Sequence, residues 1–326
     1  MESVLNLISL PKTNGIGYFS ASKKEIMRKI IFLILAFTFT LSLQAQLPTS
    51  NLFVFDLKRD FEKDSTYLAN PQFLSDYNRS GYNNHPHFLN EEELIVSAST
   101  PGQVQPDLYT LNLKSKERTR VTDTEPGEYS PRRMPDYFNF SAVRMEYLPN
   151  DTLIRLWQFP LDRSSNGRPV FADKFNIGYY AWLNSRDIVL FKVQNPNQLV
   201  KTDIYSGQEE VIAQNVGRSF QPGSRGTLIY MQINPDGSTE LIQYDSRAYF
   251  EDQKRKKLIS GLPGSQDFAV LQDGSLIAAS NSQVYLYRPG SDETWKMIAD
   301  LSAYNIKGIS RIAISPSETK ITLVAQ

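Results

Sequence analysis

The chain contains no cysteine. That excludes a disulfide framework, a thiolate nucleophile, cysteine-ligated zinc and a lipidated N-terminal cysteine. Histidine is almost as scarce, since His85 and His87, on either side of Pro86, are the only two. A serine nucleophile that needs an imidazole base therefore has one tripeptide to draw on, and no Gly-x-Ser-x-Gly elbow supplies the serine. Gly-rich phosphate loops and a His-Glu-x-x-His helix are also missing. Charge of neither sign dominates, with 35 Lys and Arg against 35 Asp and Glu. A nucleic-acid footprint requires a marked basic surplus, so no nucleic-acid partner is expected. No stretch keeps a helical period over three turns.

The first 45 residues read as a targeting segment. Lys23, Lys24, Arg28 and Lys29 precede an uncharged run from Ile30 to Leu43, followed by Gln44-Ala45-Gln46. A basic region, an apolar region and a small residue at the cut predict a signal peptide cleaved after Ala45. About 14 apolar residues fall short of the roughly 20 that span a bilayer, so no membrane span is expected in the mature chain. Met27 stands directly before Arg28-Lys29, which makes residues 1–26 readable as a misassigned start. The segment carries five basic and two acidic residues, leaving 30 basic against 33 acidic in the mature chain, a net charge of −3. Residues 46–326 are expected to form one exported, periplasmic or secreted, monomeric domain. Without disulfides its stability must come from a core, which about 280 residues can supply.

What is abundant is the short β-rich burst. Period-2 segments such as Asp107-Leu-Tyr-Thr-Leu-Asn-Leu113 and Gln283-Val-Tyr-Leu-Tyr-Arg-Pro289 predict half-buried strands. Turn-like anchors at Asn90, Asp136, Asn184, Gly223, Asp273 and Ser317 each end one apolar strand and precede another. Their spacings of 46, 48, 39, 50 and 44 residues match the roughly 40–50 of propeller repeats. Six anchors imply six blades. Leu52–Leu57 reads as a third strand without its first two, and these occur at the other end as Arg311–Ser315 and Lys320–Ala325. The expected fold is all-β, a six-bladed β-propeller whose last blade closes by pairing N-terminal with C-terminal strands.

The order of parts resembles the TolB-like, WD-repeat-like propellers of bacterial envelope proteins. Pro86, Phe88 and Asp107-Leu108-Tyr109 carry the resemblance in the first unit, Met134-Pro135-Asp136 in the second, Asp273-Gly274 in the fifth and Ser315-Pro316 in the sixth. No unit keeps the full Ser-Pro-Asp-Gly turn of that family. The resemblance, together with the lack of a base–nucleophile pair in the sequence, leads to the expectation of a non-catalytic binding or scaffolding module with an envelope protein or glycan as partner and no cofactor.

Several residues are candidates for chemistry. His85 and His87, on one side of an extended strand, could hold a metal with Asp76 or Asp107, but the reading favours a strand opening and no metal. Asp136 stands in sequence near Arg132, Arg133 and Arg144. The favoured reading is a turn cap paired to a neighbouring arginine, and the rival is half of a glycan-active site with carboxylates at the channel mouth. The aromatics Tyr137, Tyr180, Trp182 and Phe220, with Arg133 and Asp136, form the expected binding set, because flat aromatic area on a propeller face suits partners or sugars. A metal- or solute-holding sensor is a third alternative. The basic run Lys254–Lys257 is expected in a solvated loop.

Overall fold

The computed structural model describes residues 47–326 except Phe61 and Asn150; the expected signal peptide and the start-codon reading lie outside the described residues. Six four-stranded antiparallel sheets form the molecule. Blade 1 comprises strands Tyr82–Phe88, Glu93–Ser99, Asp107–Asn112 and Arg118–Arg120, termed a to d from the inside outward. The innermost strands of blades 2 to 5 are Gly127–Arg133, Ile177–Trp182, Val216–Pro222 and Phe268–Val270. Blade 6 is composite: Arg311–Ile314 and Lys320–Ala325 supply strands a and b, Asn51–Asp60 and Ser65–Phe73 supply c and d. The join runs in antiparallel register from Asn51 opposite Ala325 to Asp56 opposite Lys320, the closure that the split repeat predicts.

All six anchors fall in a–b turns, between an innermost strand and its neighbour. Gly274 in the blade 5 turn has φ +87°, and Gly207 and Gly290 in c–d turns have φ +71° and +83°. A side chain at these positions would be strained, which is why glycine punctuates the repeat there. Strand b is apolar on both faces because each blade stacks between two others. Leu94, Ile95 and Val96 in blade 1 and Ile188, Val189 and Leu190 in blade 3 are all at most 1% exposed. The core is therefore a set of seams between blades. Leu52, Val54 and Val324 of blade 6, for example, pack on Leu94, Val96 and Leu111 of blade 1. Each such side chain contributes about 1.5–3 kcal/mol by leaving water.

One outermost strand departs from expectation. The basic run is not a loop: Arg255–Ser260 forms strand d of blade 4, with Arg255, Lys256 and Lys257 exposed. Charged residues on an outer strand discourage pairing with another sheet. No helix among the described residues is long and apolar enough to cross a membrane.

Candidate functional site

The six innermost strands enclose a central channel. Its wall includes His85 and His87 from blade 1, Ser130 and Arg132 from blade 2, Tyr179 and Tyr180 from blade 3, Arg218 and Ser219 from blade 4, Asp267 from blade 5 and Arg311 from blade 6. The cavity they border is about 180 Å3. Four of the six strands carry bulges, at Asn84/His87, Tyr129/Arg132, Ile177/Tyr179 and Val216/Phe220. Bulges break the strict alternation of strand side chains and re-aim them. His85 and Ser130 sit at two of these bulges in the left-handed region, φ 52° and 53°, and each precedes a proline.

Arg311 organises one side of the channel. Its Nη2 lies 2.9 Å from His85 Nε2 and 3.2 Å from Tyr179 Oη, and the guanidinium stands 5.1 Å from the Tyr179 ring centroid. Arginine can only donate, so His85 Nε2 accepts and the ring proton resides on Nδ1. Arg218 Nη2 donates to the Ser310 carbonyl at 3.0 Å. Arg132 makes no side-chain hydrogen bond and no ion pair among the described residues. Asp267 is the one carboxylate in the wall, and both its oxygens are engaged: Oδ1 accepts from Ser219 Oγ at 2.5 Å and Oδ2 from the Ile312 amide at 2.9 Å. None of the three arginines forms a salt bridge with a described carboxylate.

The wall thus holds three guanidiniums against one carboxylate, a formal charge of +2 with both histidines neutral. Neutral histidines are what the surroundings enforce. Burial, then Arg311, Arg218 and Arg132, hold His85 well below its ordinary range. Burial and the cations Arg132 and Arg133 bring His87 down to about 3. Both rings border the channel and are therefore half-buried by surface, yet lie deep inside the protein. Burial also lowers Arg132 and Arg218, with Arg311 as a like-charged neighbour in each case.

The residues expected to bind fall into separate places. Tyr180, Trp182 and Phe220 are 1%, 9% and 3% exposed. Tyr180 Oη shares its one hydrogen between the carbonyls of Ser141 at 2.6 Å and Ser130 at 2.9 Å, and Trp182 Nε1 donates to Ser141 Oγ at 2.9 Å. They pin blade 3 to blade 2, while Phe220 packs with Val189, Leu199 and Tyr230. Tyr137 alone among the four is open, at 67% exposure in the blade 2 a–b turn. Arg133 lies over its ring, 5.0 Å from the centroid, and donates to the Leu89 carbonyl at 2.8 Å.

Asp136 is a turn cap, accepting from the amides of Phe138 and Asn139 at 2.9 Å and from Asn139 Nδ2 at 2.8 Å. Burial raises its carboxyl, but these bonds outweigh that effect and hold it below the ordinary value. The arginine partner expected for it is absent among the described residues; Arg144 pairs with Glu128 instead. The two other acids considered as metal ligands are spoken for, Asp107 by Arg120 at 2.5 Å and Asp76 by Arg79 at 2.6 Å. His85 Nε2 faces a guanidinium, and no group of three potential ligands assembles among the described residues.

No family model and no curated protein sequence matches the chain. Solved structures do. A protein assigned as TolB from Agrobacterium tumefaciens superposes with a TM-score of 0.60 at 11% identity, covering 85% of this chain and 98% of that one. TolB from Acinetobacter baumannii gives 0.51 at 8% identity over 84% of this chain and 63% of that one. A gluconolactonase from Xanthomonas campestris gives 0.54 at 12% identity over 83% and 94%. At such identities the likeness is one of fold, and propellers of this build serve binding proteins and enzymes alike. By fold, the chain is a six-bladed β-propeller, the build it shares with these structures.

Proposed function

We propose that this chain is an exported, non-catalytic propeller that acts in the cell envelope by binding, with the central channel as its recognition site. The observation that carries the reading is the chemistry of the channel wall: donors and cations in excess, and a single carboxylate with both oxygens already engaged. Glycoside hydrolysis needs two carboxyl groups flanking the scissile bond, about 5–9.5 Å apart, one of them free to give a proton. Asp267 has no carboxylate companion in the wall, and Asp136 caps an exposed turn. Nor does either histidine meet the needs of a general base, since each is surrounded by cations that disfavour its protonated form. The envelope address rests on the leader sequence.

A panel of glycans and lactones incubated with the purified mature protein tests the reading. No turnover is expected. Hydrolysis that disappears on Asp267→Asn would overturn it in favour of the glycan-active alternative.

A further inference from the structure

Three arginines from blades 2, 4 and 6 converge on one cavity without a carboxylate to pair them. A folded chain that gathers like charges in a confined space loses stability unless something neutralises them. Guanidinium groups offer five N–H donors each and recognise planar or tetrahedral oxyanions in a two-pronged fashion. Among the described residues, hydrogen bonds engage only Nη2 of Arg218 and Nη2 of Arg311. Four further polar atoms around the channel, Arg218 Nε, Arg311 Nε, His85 Nδ1 and Ser130 Oγ, are buried with no partner. Arg311 fixes the His85 proton on Nδ1, so three of those four are pure donors. The two residues in left-handed backbone conformation on the channel wall, His85 and Ser130, are among the four.

We propose that the channel is a binding site for a small dianionic oxyacid, held by Arg132, Arg218 and Arg311 with His85 and Ser130 as supporting polar groups. The charge count sets the valence, because a wall at +2 is neutralised by a dianion. The volume sets the size. A cavity of about 150 Å3 takes a benzene-sized molecule, so 180 Å3 admits about seven or eight non-hydrogen atoms. A four-carbon dicarboxylate has that size and charge; inorganic phosphate is smaller and carries the same chemistry. Entry is by the face where the innermost strands begin. A wider vestibule of about 510 Å3, bordered by Asn84, Gln266, Asn281 and Ser310, shares Arg218 with the channel, which places that guanidinium at the boundary between the two. The proposal rests on the reading of the channel as a recognition site and specifies its ligand.

Isothermal titration and thermal melts of the mature protein with succinate, with inorganic phosphate and with the neutral four-carbon polyol erythritol, all at matched ionic strength, test it. At least one oxyanion is expected to bind and raise the melting temperature, with affinity falling as salt is added, and erythritol is not. The tighter of the two arms names the source. Arg132→Gln and Arg218→Gln should each weaken binding about 10- to 150-fold, the effect of losing hydrogen bonds to a charged group. Without ligand, Arg132→Gln should melt at or above the parent temperature, since it relieves repulsion; an arginine with a structural role would lower it. Absence of binding by both oxyanions at 10 mM, which is about 100-fold above a Kd of 0.1 mM, would overturn the proposal, as would binding that both variants leave intact. These titrations read binding whereas the glycan panel reads turnover, so either idea can fail without the other.

Discussion

Arg144→Met is the most informative single substitution outside the channel. Arg144 and Glu128 are 6% and 0% exposed, with Arg144 Nε donating to Glu128 Oε1 at 3.0 Å and Nη2 lying 2.9 Å from the same oxygen. The carboxylate also accepts from Thr122 Oγ1 at 3.1 Å and Thr124 Oγ1 at 2.5 Å. Burial already pushes the Glu128 carboxyl above its ordinary range against these partners. Without the guanidinium, the folded state must keep Glu128 protonated. Relative to an unfolded carboxyl near 4.3, that costs about 1.4 kcal/mol per pH unit, hence up to ~3.7 kcal/mol at pH 7 and ~1 kcal/mol at pH 5. The sign follows from the raised value: the penalty grows as pH rises through the unfolded pKa. The pH 7 figure agrees with the 3–5 kcal/mol typical of a broken buried pair, and methionine keeps part of the contact with Trp157, whose ring centroid lies 4.1 Å from the guanidinium carbon. Urea melts at pH 7 and pH 5 would measure both values. Arg144→Met with Glu128→Gln should lose the pH dependence of the deficit. A deficit equal at the two pH values would refute the reasoning.

Removing residues 320–326 deletes a strand in which Ile321, Thr322, Leu323, Val324 and Ala325 are at most 1% exposed. At about 1.5–3 kcal/mol for each of Ile, Leu and Val, the loss is comparable to a domain's whole stability of about 5–15 kcal/mol; no cooperative melt is expected, and a monomer with the parent melting temperature would contradict the closure. Leu323→Ala is the graded version and should cost about 2–5 kcal/mol in a urea titration. His85 and His87, held well below an unfolded value near 6.5, bind fewer protons folded than unfolded, so stability should fall as pH drops from 6.5 to 5 by up to about 1.4 kcal/mol per pH unit per histidine; His87→Asn should flatten that slope, and an unchanged slope would remove histidine from the account. Intact-mass analysis of protein exported by an expressing bacterium should give a chain beginning at or near Gln46, and recovery of the full-length form from the cytosol would refute cleavage.

The fold was legible because its signals are local and repeated. Strand b is apolar on both faces and each a–b turn has its own punctuation, so six turns and the split blade stand out in one dimension. Outer strands face solvent on an edge, and one that opens on Arg255-Lys256-Lys257 shows no hydrophobic period to read. The channel was harder, because convergence on an axis joins residues about 45 apart in sequence that share no contact along it. A signal was present nonetheless. His85, Ser130, Tyr179, Arg218, Asp267 and Arg311 each lie five or six residues before a turn anchor, and comparing that one position around the repeat brings out its polar character. Tyr180, Trp182 and Phe220 show the opposite difficulty: in a stacked-blade architecture the aromatics near the axis are also the seam, and residue type alone does not tell a seam from an open face.

The composite blade also fixes an order of events. Asn51–Asp56 meets its partner across 264 to 274 residues of chain, and that partner leaves the ribosome, and crosses any membrane, after all the other strands. Hairpins within blades 1 to 5 can form from neighbouring sequence, whereas the final seam must await the far end and meet a long-range closure cost. During that interval the edge of Asn51–Asp60 is exposed and able to pair with a strand of another chain. The same join that closes the finished ring leaves the Asn51–Asp60 edge of the newly made chain unpaired until Lys320–Ala325 arrives.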